Sequence, residues 1–236
     1  MSDDIAQALA YIESATLNPI QVGLYSRAAV LSENKDRGKY LGEPGQDGAA
    51  TVGGTLVSVL ANLTGQNRTD VANSLEFASR VAAKEVGADD HTAAYWNAFK
   101  TSIFQIGWFK QADEWSSDFI DGTTTGAENF SDYVIDNAEK RAFFRSFTAG
   151  GDKGSFGVNS ATVTNGALAM RFSAFTFSCN AKVDDYLIFS IKNIKANVQK
   201  DNVDAAANQR TIDSVRQKIE DKLDKAAGDY IDGVDI

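Results

Sequence analysis

From Ser155 onward the hydrophobic period of this 236-residue chain changes from that of helices to that of strands, and Asn165-Gly166 sits inside the strand-like part. Asn-Gly between two β-type runs is the strongest short-range hairpin signal, because both turn residues must accept positive φ. The segment "SFGVNSATVTNGALAMRFSAFTFS" (155–178) therefore reads as two antiparallel strands. In the second, Leu168, Met170, Phe172 and Ala174 alternate, and the phase then slips by one to Phe175, Phe177 and Cys179. A one-residue slip inside a continuous strand moves an apolar set to the other face, so a β-bulge is expected near Ala174–Phe175. A third strand repeats the slip, with Leu187, Phe189 and Ile191 preceding Ile194, Ala196 and Val198. Together these runs predict a long, strongly twisted antiparallel meander over about 155–199.

The chain before it reads as helical over about 1–112. Ile5, Leu9 and Ile12 share one face of a helix over 3–14, and a second helical stretch is expected near 20–31 after Pro19. Residues 32–48 carry the turn chemistry of a surface loop. A helix capped by Asn67, with Asp70 near its positive end, has the apolar face Val71, Leu75, Ala78 and Ala82 and is closed by Gly87. Asp89 or Asp90 begins another, in which Trp96, Phe99, Ile103 and Ile106 share a face broadened by Tyr95 and Trp108. Such an aromatic stripe reads as core. Residues 112–154 fit neither period cleanly. At the C-terminal end Ile212, Val215, Ile219, Leu223 and Ala226 define a helix over about 209–227, supported by Asp221 and Lys225 at i, i+4. Helices first and strands later, without βαβ alternation, predict an α+β fold: a helical N-terminal half packed on the meander, with a C-terminal helix, in one domain over 1–236.

One stretch stands apart. "GAATVGGTLVSVLANLTGQN" (48–67) has no charge in a chain that is 23% charged. At helical spacing Val52, Leu56, Val59, Leu60 and Leu63 fall on one face. Four glycines and seven Ser, Thr, Asn or Gln in twenty residues are too polar for a spanning helix, which needs about twenty predominantly apolar positions. A buried or partner-covered helix is expected.

Net charge is −9. Such a field repels phosphate backbones and anionic lipid surfaces, and no basic stripe is interleaved with aromatics, so no nucleic-acid partner is expected. Cys179 is the single cysteine, which excludes an intramolecular disulfide framework. The acidic, amphipathic N-terminal stretch lacks the pattern of a standard secretory signal. Cytoplasmic synthesis is expected, with release, if any, by a non-standard route.

Catalytic inventories are thin. His91, the one histidine, stands beside Asp89 and Asp90 at an expected helix start, where it reads as an exposed terminal residue. Zinc needs further His or Cys ligands, and only Cys179 is present. A nucleophilic Cys179 would need a base and an electropositive setting that its sequence neighbours lack. "GGDKGSFG" (150–157) fails both the phosphate-loop and the nucleophile-elbow spacing and reads as a hairpin-entry loop. Asp184-Asp185 and Asp229, Asp232 and Asp235 depart from the calcium-loop pattern and read as solvated turns. No catalytic residue, cofactor or metal is therefore expected.

Two functions follow. One is a non-enzymatic, self-assembling or protein-interaction subunit acting through neutral surface, which costs less to bury than charge. The other is a soluble pore-forming toxin that inserts the charge-free helix or the 155–179 hairpin, whose faces alternate apolar and polar. An Asp/Glu-dependent hydrolase is the remote third. The interaction or insertion candidates are Val52, Leu56, Val59, Leu60 and Leu63 with Asn165 and Gly166.

Overall fold

Residues 2–18, 43–52, 55–86, 93–121, 151–183 and 195–232 are described by the structure, a computed structural model. In chain order they form α1 (Asp3–Ser14), β1 (Gly48–Val52), β2 (Thr55–Val59), α2 (Gly65–Val86), α3 (Ala93–Gln105), β3 (Trp108–Asp121), β4 (Gly151–Thr164), β5 (Ala167–Val183), β6 (Lys195–Ala207) and α4 (Gln209–Asp232). The architecture is α+β. The strands make one sheet in the order β1-β2-β4-β5-β6-β3. Its four long strands, β4, β5, β6 and β3, are antiparallel, β1–β2 is an antiparallel hairpin, and β2 joins β4 in parallel.

The Asn-Gly turn forms as its chemistry requires. Asn165 has φ 52° and Gly166 φ 79°, and Thr164 pairs with Ala167 across them. The expected bulge does not form. Ala174 and Phe175 pair in step with Gly157 and Phe156 on one side and with Asp201 and Lys200 on the other. The register shifts fall instead between Gly151 and Lys153 and between Lys110 and Ala112. The change of hydrophobic parity at 174/175 thus has no counterpart in the ladder. The expected slip near 192 lies outside the described residues. β6 runs on to Ala207, past the expected end at 199, because Val203 and Ala205 keep the alternation and are buried.

The charge-free run corrects the helical reading. Residues 48–52 and 55–59 are strands, and Val52 pairs with Thr55, so Val52, Leu56, Val59, Leu60 and Leu63 do not share a helical face. The run's composition explains this. Gly48, Gly53 and Gly54 weaken a helix, Thr51, Val52, Thr55, Val57 and Val59 favour strands, and Gly-Gly is a favoured two-residue hairpin connection. Val57 and Val59 are buried with period 2.

Helix α1 matches its expected bounds, with Ile5, Ala8 and Ile12 buried. Helix α2 starts two residues before its expected cap: the Thr64 hydroxyl accepts the Asn67 N–H at 3.1 Å, so Thr64 caps and Asn67 lies within the first turn. The aromatic helix ends at Gln105. Gly107, at φ 107°, turns the chain, and Trp108 opens β3, where it is buried and donates its indole N–H to Ser74 Oγ at 3.0 Å. The first half is consequently less helical than expected, because β1, β2 and β3 all fall within it or at its end. Helix α4 continues through Asp232, beyond the expected 227.

The core joins Phe77, Tyr95, Trp96 and Phe99 of the helices to Leu168, Met170 and Phe172 of β5 and to Ile212, Val215 and Leu223 of α4. Phe99 and Phe172 meet edge to face at 5.8 Å. The expected helix near 20–31 and the Gly87 closure lie outside the described residues.

Candidate functional site

The β1–β2 hairpin is held by buried hydrogen bonding. Arg68, 1% exposed, lies in the first turn of α2 and donates to the carbonyls of Gln46, Leu60 and Leu63. One guanidinium thereby ties the segment before β1 to the segment after β2, and these carbonyls compensate its burial. Asp47 accepts the Ala61 N–H at 2.8 Å, and Gly45 donates its N–H to Ala61 O at 3.2 Å. Asn62 then extends the sheet with its side chain: Nδ2 donates to Val163 O at 2.9 Å and Oδ1 accepts Val163 N–H at 3.3 Å. The amide group thus mimics a strand where β2 has stopped, which covers the edge of β4 there.

The far portions of the long strands form an alternating ladder. One set of rungs joins Phe156 to Phe175 to Lys200, Gly154 to Phe177 to Val198, and Cys179 to Ala196. The set between joins Ser155 to Thr176 to Gln199 and Lys153 to Ser178 to Asn197. With no bulge at 174/175, the first set stands at the opposite parity to buried Leu168, Met170, Phe172 and Ala174. β5 carries nine residues past Ala174 (175–183), about 30 Å of strand.

Two helices are latched by charge. Asp70, whose side chain is 1% exposed, accepts a two-pronged bond from Arg216 at 2.6 and 2.9 Å, and Arg216 also reaches Asp213 at 2.6 Å. These hydrogen bonds push the Arg216 guanidinium further up, Asp70 first. Beside them Asn73 donates to Glu220 at 3.2 Å. Burial lifts the Glu220 carboxyl above its usual range, against Arg216 and the Asn73 bond. Burial likewise pushes the Tyr95 hydroxyl, bonded to Ser79 at 2.9 Å, up to about 12. Across the sheet Arg171 pairs with Asp204 at 2.6 and 2.7 Å, and Lys100 pairs with Asp201.

Cavities are small. One of about 10 Å3 lies at the latch among Asp70, Asn73, Ser74, Arg216 and Ile219, room for about one water. A shallow cleft of about 120 Å3 is lined by Asp4, Gln7, Phe104, Phe109, Asn208 and Thr211, below the roughly 300 Å3 of a typical ligand pocket. Among the described residues no group of three His, Cys, Asp or Glu could hold a metal ion, and no helix is long and apolar enough to cross a membrane.

The sequence-derived candidates scatter over this frame. Val59 and Leu63 are buried in the core, while Leu60 is 49% exposed. Val52 closes β1, Leu56 lies in β2, and Asn165-Gly166 forms the exposed tip of the β4–β5 hairpin. The structure therefore separates them into a hairpin and a turn. His91, Asp184, Asp185 and Asp235 lie outside the described residues. "GGDKGSFG" is strand from Gly151 onward, and Asp229 and Asp232 fall in α4, so neither is the loop or turn that its composition suggested. Sequence spacing does not reveal Arg68, Asn62 or the Asp70–Arg216 latch. Thr64 three residues before Asn67 was the available cue to the helix start that places Arg68; no local spacing links Asp70 to Arg216.

No family model matches the chain, and no curated protein does. One solved structure, "Structure of the Evf virulence factor", aligns with 97% of this chain and 90% of its own at 10% identity and a TM-score of 0.42. A likeness that weak carries no argument about fold or activity.

Proposed function

We propose that the chain is a non-enzymatic subunit that works by associating with protein, copies of itself in the first instance, through neutral surface of its sheet. The observation behind this reading is the change of apolar parity along unbroken strands. One helical layer accounts for the set at 168–174; the set at Phe156, Phe175, Phe177, Val198 and Cys179 stands at the other parity and needs a different cover. The intervening rungs, on the other face, are mostly Ser, Thr, Asn and Gln, which are less costly to bury than charge when hydrogen-bonded. Within the apolar set's own rungs the register places Lys200 across from Phe175 and Asp118 across from Val198. Light scattering of the full chain across a wide concentration range should give particles heavier than one chain. A strict monomer throughout overturns this reading.

The same ladder supports a second reading, a soluble protein that inserts strands into a bilayer, because alternating apolar and neutral polar positions are what a barrel strand needs. Dye release from liposomes tests it. Leakage by the full chain, with no larger particle in solution, favours insertion over assembly; intact vesicles at every pH and lipid composition remove it.

A further inference from the structure

The two edges of the sheet are built differently. At one end of the strand order stands β3, whose fourteen residues carry Lys110, Asp113, Glu114, Asp118 and Asp121 and a register shift between Lys110 and Ala112. Charges and bulges are the devices that keep an edge from pairing with another strand. At the other end stands β1, Gly48-Ala49-Ala50-Thr51-Val52, with no charge, no proline and an unbroken register against β2. Its five residues make it a short edge, which is itself a protection, but it carries neither charge nor bulge. Among the described residues β1 pairs on one side only.

The pairing also shows which groups face outward. A two-residue connection between Val52 and Thr55 makes them a hydrogen-bonded pair, and such pairs alternate along an antiparallel ladder. Gly48, Ala50 and Val52 therefore direct their N–H and C=O groups to β2, and Ala49 and Thr51 direct theirs to the open side.

We infer that β1 is an interface edge and that its occupant is β1 of a second copy, paired antiparallel about a two-fold axis at Ala50. The inference rests on the assembly reading above and adds the edge through which two copies join. Charge selects the occupant. The chain carries −9, so copies repel wherever acidic surfaces meet. A two-fold pairing of β3 would bring together two strands bearing four carboxylates and one lysine each. The same pairing of β1 sets Ala49 opposite Thr51 of the partner subunit and opposes no charges. The nearest carboxylate, Asp47, is engaged with the Ala61 N–H, and Arg68 lies against the adjacent Gln46 carbonyl. Gly48, Ala49 and Ala50 add little side-chain bulk to this edge. A five-residue edge offers few bonds, so the association is concentration-dependent.

Three variants of the full chain test this by sedimentation velocity over a concentration series. Ala49→Pro and Thr51→Pro each remove an outward donor while leaving the bonds to β2, and Thr51→Lys restores the charge that edges use for protection. Each should raise the concentration at half-association by about tenfold or more with an unchanged circular dichroism spectrum. If the proline variants lose that spectrum, Thr51→Lys decides. Association by the parent chain that all folded variants leave untouched overturns the edge assignment and spares the assembly reading. A parent chain monomeric at every concentration overturns both. Amide exchange adds an independent check: the Ala49 and Thr51 N–H groups should gain protection as concentration rises. Protection in the monomer means the chain itself covers this edge, and overturns the inference.

Discussion

At the scale of single residues, the Asp70–Arg216 latch is the clearest case of a charge that cannot be left alone. Asp70 is almost wholly buried, and its carboxylate is accommodated because Arg216 answers it with two bonds. Arg216→Met should therefore cost about 3 kcal/mol, chiefly through the stranded carboxylate. Asp70→Asn with Arg216→Met should recover much of that loss; a single variant with an unshifted urea midpoint contradicts the argument. Glu220, one turn further along α4, behaves in the opposite sense. Its folded pKa is raised by burial, so its contribution to stability is fully present below the unfolded value and is lost as pH rises through the folded one. Glu220→Gln keeps an acceptor for Asn73 and should raise Tm at pH 7, with the gap closing in acid. Glu13, Asp204 and Asp213 have lowered pKa values, set first by hydrogen bonds from Lys218, Arg171 and Gln209 respectively. Their contributions are present above the unfolded carboxylate range and are lost as pH falls through the folded values. Melting curves of the parent chain and the Glu220→Gln variant between pH 3 and pH 7 separate the two signs.

At the scale of elements, two glycines make turns for different reasons. Gly166 has φ 79° and nothing within 4 Å of a Cβ built on it, so Gly166→Ala meets only the left-handed backbone penalty, about 1 kcal/mol. Gly107 has φ 107° and its built Cβ would meet Thr211 Cγ2 at 2.9 Å, which adds overpacking to strain. Gly107→Ala should cost more, about 3 kcal/mol, and equal shifts in the urea midpoints of the two variants would show that contact with Thr211 is irrelevant. The pair also explains which elements were legible in sequence. Asn165-Gly166 carries its own instruction, and α1, α2 and α4 announce themselves through Ile12, Leu75 and Ile219 at helical spacing. Residues 48–67 satisfy two periods together: Val52, Leu56, Val59 and Leu63 fit a helix, while Val57 and Val59 fit a strand. The contest was decided by Gly53-Gly54, by the β-branched residues and by a parallel partner, Val158–Ala161, about a hundred positions away. Similarly, Ile106-Gly107-Trp108 reads as a continuing aromatic helix until the glycine's positive φ ends it. The latch and the Asn62–Val163 contact join residues about 100 or more positions apart, a separation that local spacing does not encode.

At the scale of the whole molecule, net charge and neutral surface act against each other, and their balance gives a test that mutation does not. Copies bearing −9 repel at long range, while the proposed contact through β1 would bring together strands with no charged residue. Raising ionic strength from 0.01 to 0.15 M shortens the screening length from about 30 to about 8 Å. That change weakens the repulsion and leaves backbone pairing and apolar burial nearly untouched. Association carried by neutral surface should therefore strengthen with salt, and should strengthen again as pH falls toward the isoelectric region near 4.7. Association carried by ion pairs between copies should weaken with salt instead. Sedimentation at fixed protein concentration across that salt range distinguishes them, and a particle that dissociates as salt rises would falsify the neutral-surface reading. Liposomes extend the same logic to the membrane alternative. An acidic chain inserting its strands should bind anionic vesicles better as salt rises, and bind neutral vesicles about equally at all salt concentrations. Salt that promotes particle growth while leaving both vesicle types empty of protein assigns the sheet to protein partners.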